Sequence, residues 1–144
     1  MLPANEAYLL LFQDSLLAAI IISFDSELVF DVMRSFGGYN TQIILVTSFL
    51  ASILGHMINF FAGKIIFDYR NFFKLSTSTE KNILKASALS NKYGFVFLLF
   101  IGSNFFGPII SFTAGLFSVR LRTFILTAIT GKTLYYLEIF YEVL

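Results

Sequence analysis

The chain has 144 residues, 57 % of them apolar and 13 % charged, with a formal net charge of +1 and a mean hydropathy of +0.79. An ordinary soluble domain is about 25 % charged, so residues 1–144 read as one integral membrane domain with no soluble segment large enough for its own core. The charge makes no case for nucleic acid, the absence of cysteine removes disulfides, thiolate metal sites and thiol nucleophiles, and a single histidine, His56, gives no multi-histidine metal site and no cofactor to expect.

The opening MLPANEAYLL has no basic leader and is not expected to be a cleaved signal peptide. Residues 7–30 are mostly apolar but interrupted by Gln13, Asp14, Asp25 and Glu27; five acids and no base stand between Met1 and Asp31. A charge at the centre of a membrane helix costs about 2.5–3.5 kcal/mol on insertion scales, so these acids belong at an interface or in a protected cavity. The pattern predicts a broken helix ending near Phe24, a turn at Asp25-Ser26-Glu27, a short helix to about Phe36, and a loop over Gly37-Gly38-Tyr39-Asn40.

Residues 42–67, QIILVTSFLASILGHMINFFAGKIIF, form the cleanest full crossing. At about 1.5 Å per residue they are long enough to span with some tilt. Ser48, Ser52, Gly55 and Asn59 recur at steps of three and four and share one helical face. Such a face suits close helix packing in lipid, or the lining of a polar cavity.

Residues 68–92 are the one hydrophilic connection, with Arg70, Lys74, Lys81, Lys85 and Lys92 against Asp68 and Glu80. The positive-inside rule places this connection in the cytoplasm. Thr77-x-x-Glu80 reads as a capping box opening a short helix. That helix either rests Ile83, Leu84 and Leu89 on the membrane surface or is a solvated linker.

Tyr93–Val119, YGFVFLLFIGSNFFGPIISFTAGLFSV, is long enough to cross, but its middle reads GSNFFGP and basic residues flank both ends. Charge counting therefore predicts a re-entrant hairpin turning near Gly107-Pro108, with a glycine turn at Gly115 before the next helix. Irregular backbone at membrane depth needs protein or water around it. Residues 121–144 read as a final spanning helix that carries Gly131-Lys132 and ends beyond Glu138 and Glu142 on the far side.

Sliding the chain on itself by about 76 residues matches Thr47 with Thr123, Leu50 with Leu126, Ile53 with Ile129 and Gly55-His56 with Gly131-Lys132. Each copy has a broken apolar segment, a glycine turn and a spanning helix, and the two helices run in opposite directions. The fold expected is an all-α inverted repeat of re-entrant hairpin plus transmembrane helix, with a first repeat of about 8–67 and a second of about 93–144.

On these residues the chain resembles the DedA / SNARE-associated (VTT-domain) membrane proteins, and within them the YqaA-like branch. The resemblance rests on Lys92-Tyr93-Gly94, Gly107-Pro108, Ala114-Gly115 and Gly131-Lys132-x-x-Tyr135-Tyr136 in the second half. In the first half it rests on Asp25-Ser26-Glu27 and LGHMINFFAGK. It implies a bacterial inner-membrane or organellar protein with two facing hairpins, some of whose relatives are implicated in moving lipids between leaflets and some in proton-linked homeostasis. The arginine-rich run of the family's second hairpin is missing: Ile101, Asn104 and Gly107 stand in its place. An arginine there would suit a phosphate headgroup.

Glu27 leads the candidates for transport or binding: it takes a proton as desolvation raises its pKa, binds a cation or choline-type headgroup, or simply caps a helix. Asp25 is its solvated partner. Lys132 either opposes Glu27 across the repeat axis or snorkels to the interface. His56 holds the equivalent position and either joins two helices or binds a ligand. Ser103 and Asn104 either meet a headgroup or satisfy freed backbone. Gly107 and Pro108 shape the hairpin tip, and Gly55, Gly115 and Gly131 serve packing.

The function expected is a transporter or scramblase of a lipid or small amphiphile, with proton coupling at Glu27 and membrane lipid as partner. A non-transporting scaffold or envelope-homeostasis module is the alternative. No catalytic residue set stands at usable spacing. A chain with so few crossings points to a homodimer.

Overall fold

The computed structural model describes residues 3–20, 28–36, 38–69, 81, 84–85, 88 and 106–141, and all regular structure among them is helical. Five helices follow in order: α1 Ala4–Ile20, α2 Leu28–Phe36, α3 Thr41–Asp68, α4 Gly107–Leu116 and α5 Leu121–Tyr141. The break expected between a first and a second short helix falls between α1 and α2, and α1 begins earlier than the hydropathy pattern predicts, at Ala4. The Asp25-Ser26-Glu27 turn, the Thr77–Glu80 box and the first arm of the Tyr93–Val119 segment lie outside the described residues.

Helix α3 is the element every other helix touches. Its start is fixed by Asn40, whose side-chain oxygen accepts from the backbone N–H groups of Gln42 at 2.9 Å and Ile43 at 3.4 Å. That is the usual satisfaction of orphan donors at a helix N-terminus. Gly38, at φ 90°, supplies the left-handed residue the preceding loop needs. At 28 residues α3 is about 42 Å long, against a hydrocarbon core of about 30 Å. It is the one described helix long and apolar enough to cross a membrane, and 44 % of its apolar stretch is buried. The remaining face exposes Ile43, Val46, Leu50, Leu54, Ile58 and Ile65.

The contacts give the helix directions. Tyr8 accepts from the Asn40 N–H at the start of α3, whereas Asn59, far along α3, donates to the carbonyls of Ala19 and Ile20. Helices α1 and α3 are therefore parallel, and the chain between them returns to the side where α1 began. Ser111 meets His56, while Gly115 meets Phe60 and Lys64, and Leu116 meets Gly63. Helix α4 is thus parallel to α3 as well, but begins beside its middle and runs to its C-terminal end. Helix α5 is antiparallel: Phe124 stacks on Phe60 at 4.3 Å, and Tyr136 reaches Ser52 and Phe49.

Two apolar clusters sit at different heights on α3. Ala7, Leu11, Phe30, Met33, Ile44 and Tyr136 join α1, α2 and α5 near its N-terminal end. Phe60, Ile110, Ala114, Val119, Phe124 and Ala128 join α4 and α5 near its C-terminal end. The face between and beside them is small and polar, continuing the expected Ser48, Ser52, Gly55, Asn59 series to Gly63. A Cβ at Gly63 would overlap the Phe112 carbonyl, and one at Gly115 the Phe60 carbonyl, so both glycines let α3 and α4 backbones approach closely. Gly115 is therefore a buried packing residue inside α4, not the turn that the sequence predicts. The turn follows it: the Val119 N–H donates to Ala114, the Ser118 N–H donates to Gly115, and Ser118 itself takes the left-handed position at φ 52°.

Gly115→Ala should lower stability by about 1–3 kcal/mol, the cost of overpacking a close contact. Thermal unfolding in detergent micelles measures it, and an unchanged midpoint would show that α3 and α4 are not so closely packed.

Candidate functional site

Beside its two apolar clusters the interior holds a set of polar side chains, while much of the exterior is apolar. Ser15, Ser48, Ser52, His56, Asn59, Ser111, Thr127 and Lys132 are buried, while Leu9, Leu17, Leu126, Leu134 and Leu137 are exposed with the outer face of α3. On α3 the interior polar groups run from Ser48 to Asn59, roughly 10–27 Å along it from Thr41 at about 1.5 Å per residue. This belt, between the two apolar clusters, is the candidate site.

At its centre the Ser111 Oγ lies 3.1 Å from His56 Nδ1. The Ser111 hydroxyl proton is already committed, because it donates to the Gly107 carbonyl at 2.7 Å. A hydroxyl has one proton, so His56 Nδ1–H is the donor to Ser111. The ring is then the Nδ1–H tautomer, and Nε2 is left as a buried acceptor with no partner among the described residues. This orientation is the reverse of nucleophile activation, in which the histidine accepts the serine proton. The pair is a helix–helix tie between α3 and α4.

Lys132 is 2 % exposed, so it does not snorkel out of the fold. Its ammonium lies 4.9 Å from the Tyr135 ring centroid and 5.8 Å from that of Tyr136, within the range of cation–π attraction. The residues matched by the internal repeat, His56 and Lys132, are thus brought into one interior, with Gly131 buried beside them. Tyr136 is packed by Phe30 and Phe49 and lies 3.4 Å from Ser52 through its hydroxyl.

The remaining polar side chains divide into those that are spent and those that are not. Thr113, Thr127, Thr130 and Thr133 donate to carbonyls three or four residues back in their own helices. Such bonds close a hydroxyl internally where no water is at hand. Asn59 ties down the last carbonyls of α1, and the Asp14 carboxylate accepts from the Val29 N–H at 3.0 Å, capping the start of α2. The hydroxyls of Ser15 and Ser48 have no partner among the described residues.

Asp25, Glu27, Ser103 and Asn104 lie outside the described residues. Gly107 and Pro108 begin α4 beside the belt and are buried; Pro108 stands in the first turn, where a missing N–H is harmless. Gly55 packs on α1, where an added Cβ would meet the Leu16 carbonyl at 2.8 Å. Sequence reasoning passed over Ser15, Gly63 and Ser111, and read Asp14 only as an interruption belonging at an interface or in a protected cavity. Gly63 continues the four-residue step from Asn59 and was legible. Ser111 and Ser15 carry no local signal, because their importance comes from which helix lies opposite.

Residues 15–141 match the VTT domain family. The chain is also 34 % identical over 134 residues to the uncharacterized protein RP436 of Rickettsia prowazekii (strain Madrid E), covering 91 % of this chain and 92 % of that one. No solved structure matches it significantly.

A double-mutant cycle of His56→Ala and Ser111→Ala should give a coupling of about 0.6 kcal/mol and no more than about 1.7, the range for such bonds between membrane helices. Unfolding in mixed micelles measures it; strictly additive losses would remove the tie.

Proposed function

The chain belongs to the VTT-domain family, and from that premise we propose that it moves a lipid or small amphiphile between the leaflets of the bilayer. The family consists of membrane proteins with proposed transport or lipid-flipping roles. The observation that carries the reading is that α4 starts half-way along α3, beside the buried His56, Ser111 and Lys132, instead of at either end. A helix end at mid-depth, facing polar side chains, is how discontinuous helices build substrate sites in transporters of inverted-repeat design.

On this reading the chain around α1–α2 and the Tyr93–Val119 segment are two re-entrant hairpins that approach from opposite sides. The parallel courses of α1 and α4 along α3 support it, since both segments must double back to connect. The acidic turn carries the chemistry: Glu27 is the protonatable group, Asp25 its solvated partner and Lys132 the countercharge inside the fold. Ser103 and Asn104, at the second tip, meet the headgroup. The membrane is the bacterial plasma membrane, the basic connection 68–92 is cytoplasmic, and two copies enclose the path.

Reconstitution into phosphatidylcholine liposomes carrying a fluorescent-headgroup lipid tests the reading through chemical quenching of the inner-leaflet label. Wild-type protein should accelerate loss of the protected signal. Glu27→Gln and Lys132→Met should each slow it roughly tenfold or more, equivalent to about 1.4 kcal/mol or more of barrier. Protein-bearing liposomes no faster than empty ones would overturn the transport reading and favour the scaffold. Cellular phenotypes would then survive Glu27→Gln but not Gly55→Leu.

A further inference from the structure

A cleft of about 410 Å³ opens between α3 and α5, lined by Leu45, Phe49, Leu50, Thr133, Tyr136 and Leu137. It lies within the size range of small-molecule sites, about 300–1,000 Å³. We infer that this cleft seats a hydrocarbon chain of a membrane lipid, with the Tyr136 ring as the wall between that chain and the buried polar belt.

The first ground is chemical. The lining is aliphatic and aromatic, and its two hydroxyls are engaged: Thr133 donates to Ile129 at 2.7 Å, and Tyr136 faces Ser52 at 3.4 Å. A polar occupant would find nothing to bind and would leave its own groups unpaired.

The second ground is position. Leu45 to Leu50 lie about 6–14 Å along α3 from Thr41, at about 1.5 Å per residue. That depth is hydrocarbon in a bilayer core of about 30 Å. The rim is the exposed apolar face itself, with Val46 and Leu50 on one side and Leu137 on the other.

The third ground is size. The lining covers under two helical turns on each wall, whereas a helix with its side chains is about 10–12 Å across. A single hydrocarbon chain, far narrower than a helix, fits along a cleft this short.

Tyr136 gives the cleft its interest, because it both lines the cleft and lies close to Lys132, whose ammonium is 5.8 Å from the ring centroid. A lipid with its tail in the cleft would therefore stand one aromatic ring away from the polar belt. That the tail belongs to the molecule being moved rests on the transport reading above; the seating of a tail does not. With both, the cargo narrows from any small amphiphile to one bearing a long hydrocarbon chain.

The full-length protein, reconstituted in phosphatidylcholine vesicles containing a phosphatidylcholine with a photoactivatable acyl chain, provides the test. Mass spectrometry after illumination should find label at Phe49, Leu50 and Leu137 several-fold above that at Ile58 and Ile65, which are exposed on the same helix α3 away from the cleft. Leu137→Trp and Leu50→Trp, at exposed rim positions that folding tolerates, should fill the cleft and abolish the excess. Label no higher in the cleft than at Ile58 and Ile65, or an excess untouched by both tryptophans, would overturn the inference. Equal suppression of label by raising the protein-to-lipid ratio would assign the cleft to a second copy and also overturn it. Strong cleft labelling without lipid movement would sink the transport reading and leave the tail site standing.

Discussion

Four helices pack on one face of α3, and that face has to be small and polar at the same time. In lipid there is no water to satisfy a buried donor or acceptor, and apolar contact between helices gains nothing over contact with lipid tails. Association then depends on close backbone approach and on hydrogen bonds that cross between helices. Gly55 and Gly63 provide the approach, towards α1 and α4 respectively, with Gly115 answering from α4. Ser52, His56 and Asn59 provide the bonds, to Tyr136, Ser111 and the last carbonyls of α1. The outer face of the same helix is left to Ile, Leu and Val. Buried serine, histidine, asparagine and lysine between apolar clusters, under an apolar exterior, suit a hydrocarbon surrounding, and so large an exposed apolar face would be costly in water.

The same constraint places the candidate site. Polar groups gathered at mid-depth are costly wherever they remain unpaired, and three of them, on Ser15, Ser48 and His56, have no partner among the described residues. Structural ties elsewhere in the fold are closed: threonines bond back to their own helices, Asn59 caps α1 and Asp14 caps α2. Of the three residues, His56 is the one tied to α4, through Ser111, in the same interior that holds the buried Lys132.

Much of this was legible in the sequence, because lipid imposes simple rules. The long helix, its small-residue face, the break after the first apolar run and the interruption at Gly107-Pro108 can all be read from spacing and charge. What could not be read depends on partners across the fold. Gly115 looks like a turn residue until Phe60 is placed against it, and the actual turn uses Ser118, where glycine is more usual. Lys132 looks able to reach an interface until the folded chain buries it against Tyr135 and Tyr136. Asp14 looks like an interruption of a membrane helix, and becomes a cap once α2 folds back beside α1.

The central claim is that the chain returns to the same side of the membrane between the end of α3 and the start of α5. The sequence has no cysteine, so single cysteines can be introduced without background. Asp68→Cys, Arg120→Cys, Thr41→Cys and Glu138→Cys replace exposed residues near the ends of α3 and α5. Labelling each in sealed vesicles with a membrane-impermeant maleimide should modify Asp68→Cys and Arg120→Cys from one side, and Thr41→Cys and Glu138→Cys from the other. Labelling of Arg120→Cys from the Thr41 side would mean that residues 93–119 cross the bilayer once, and would contradict the account.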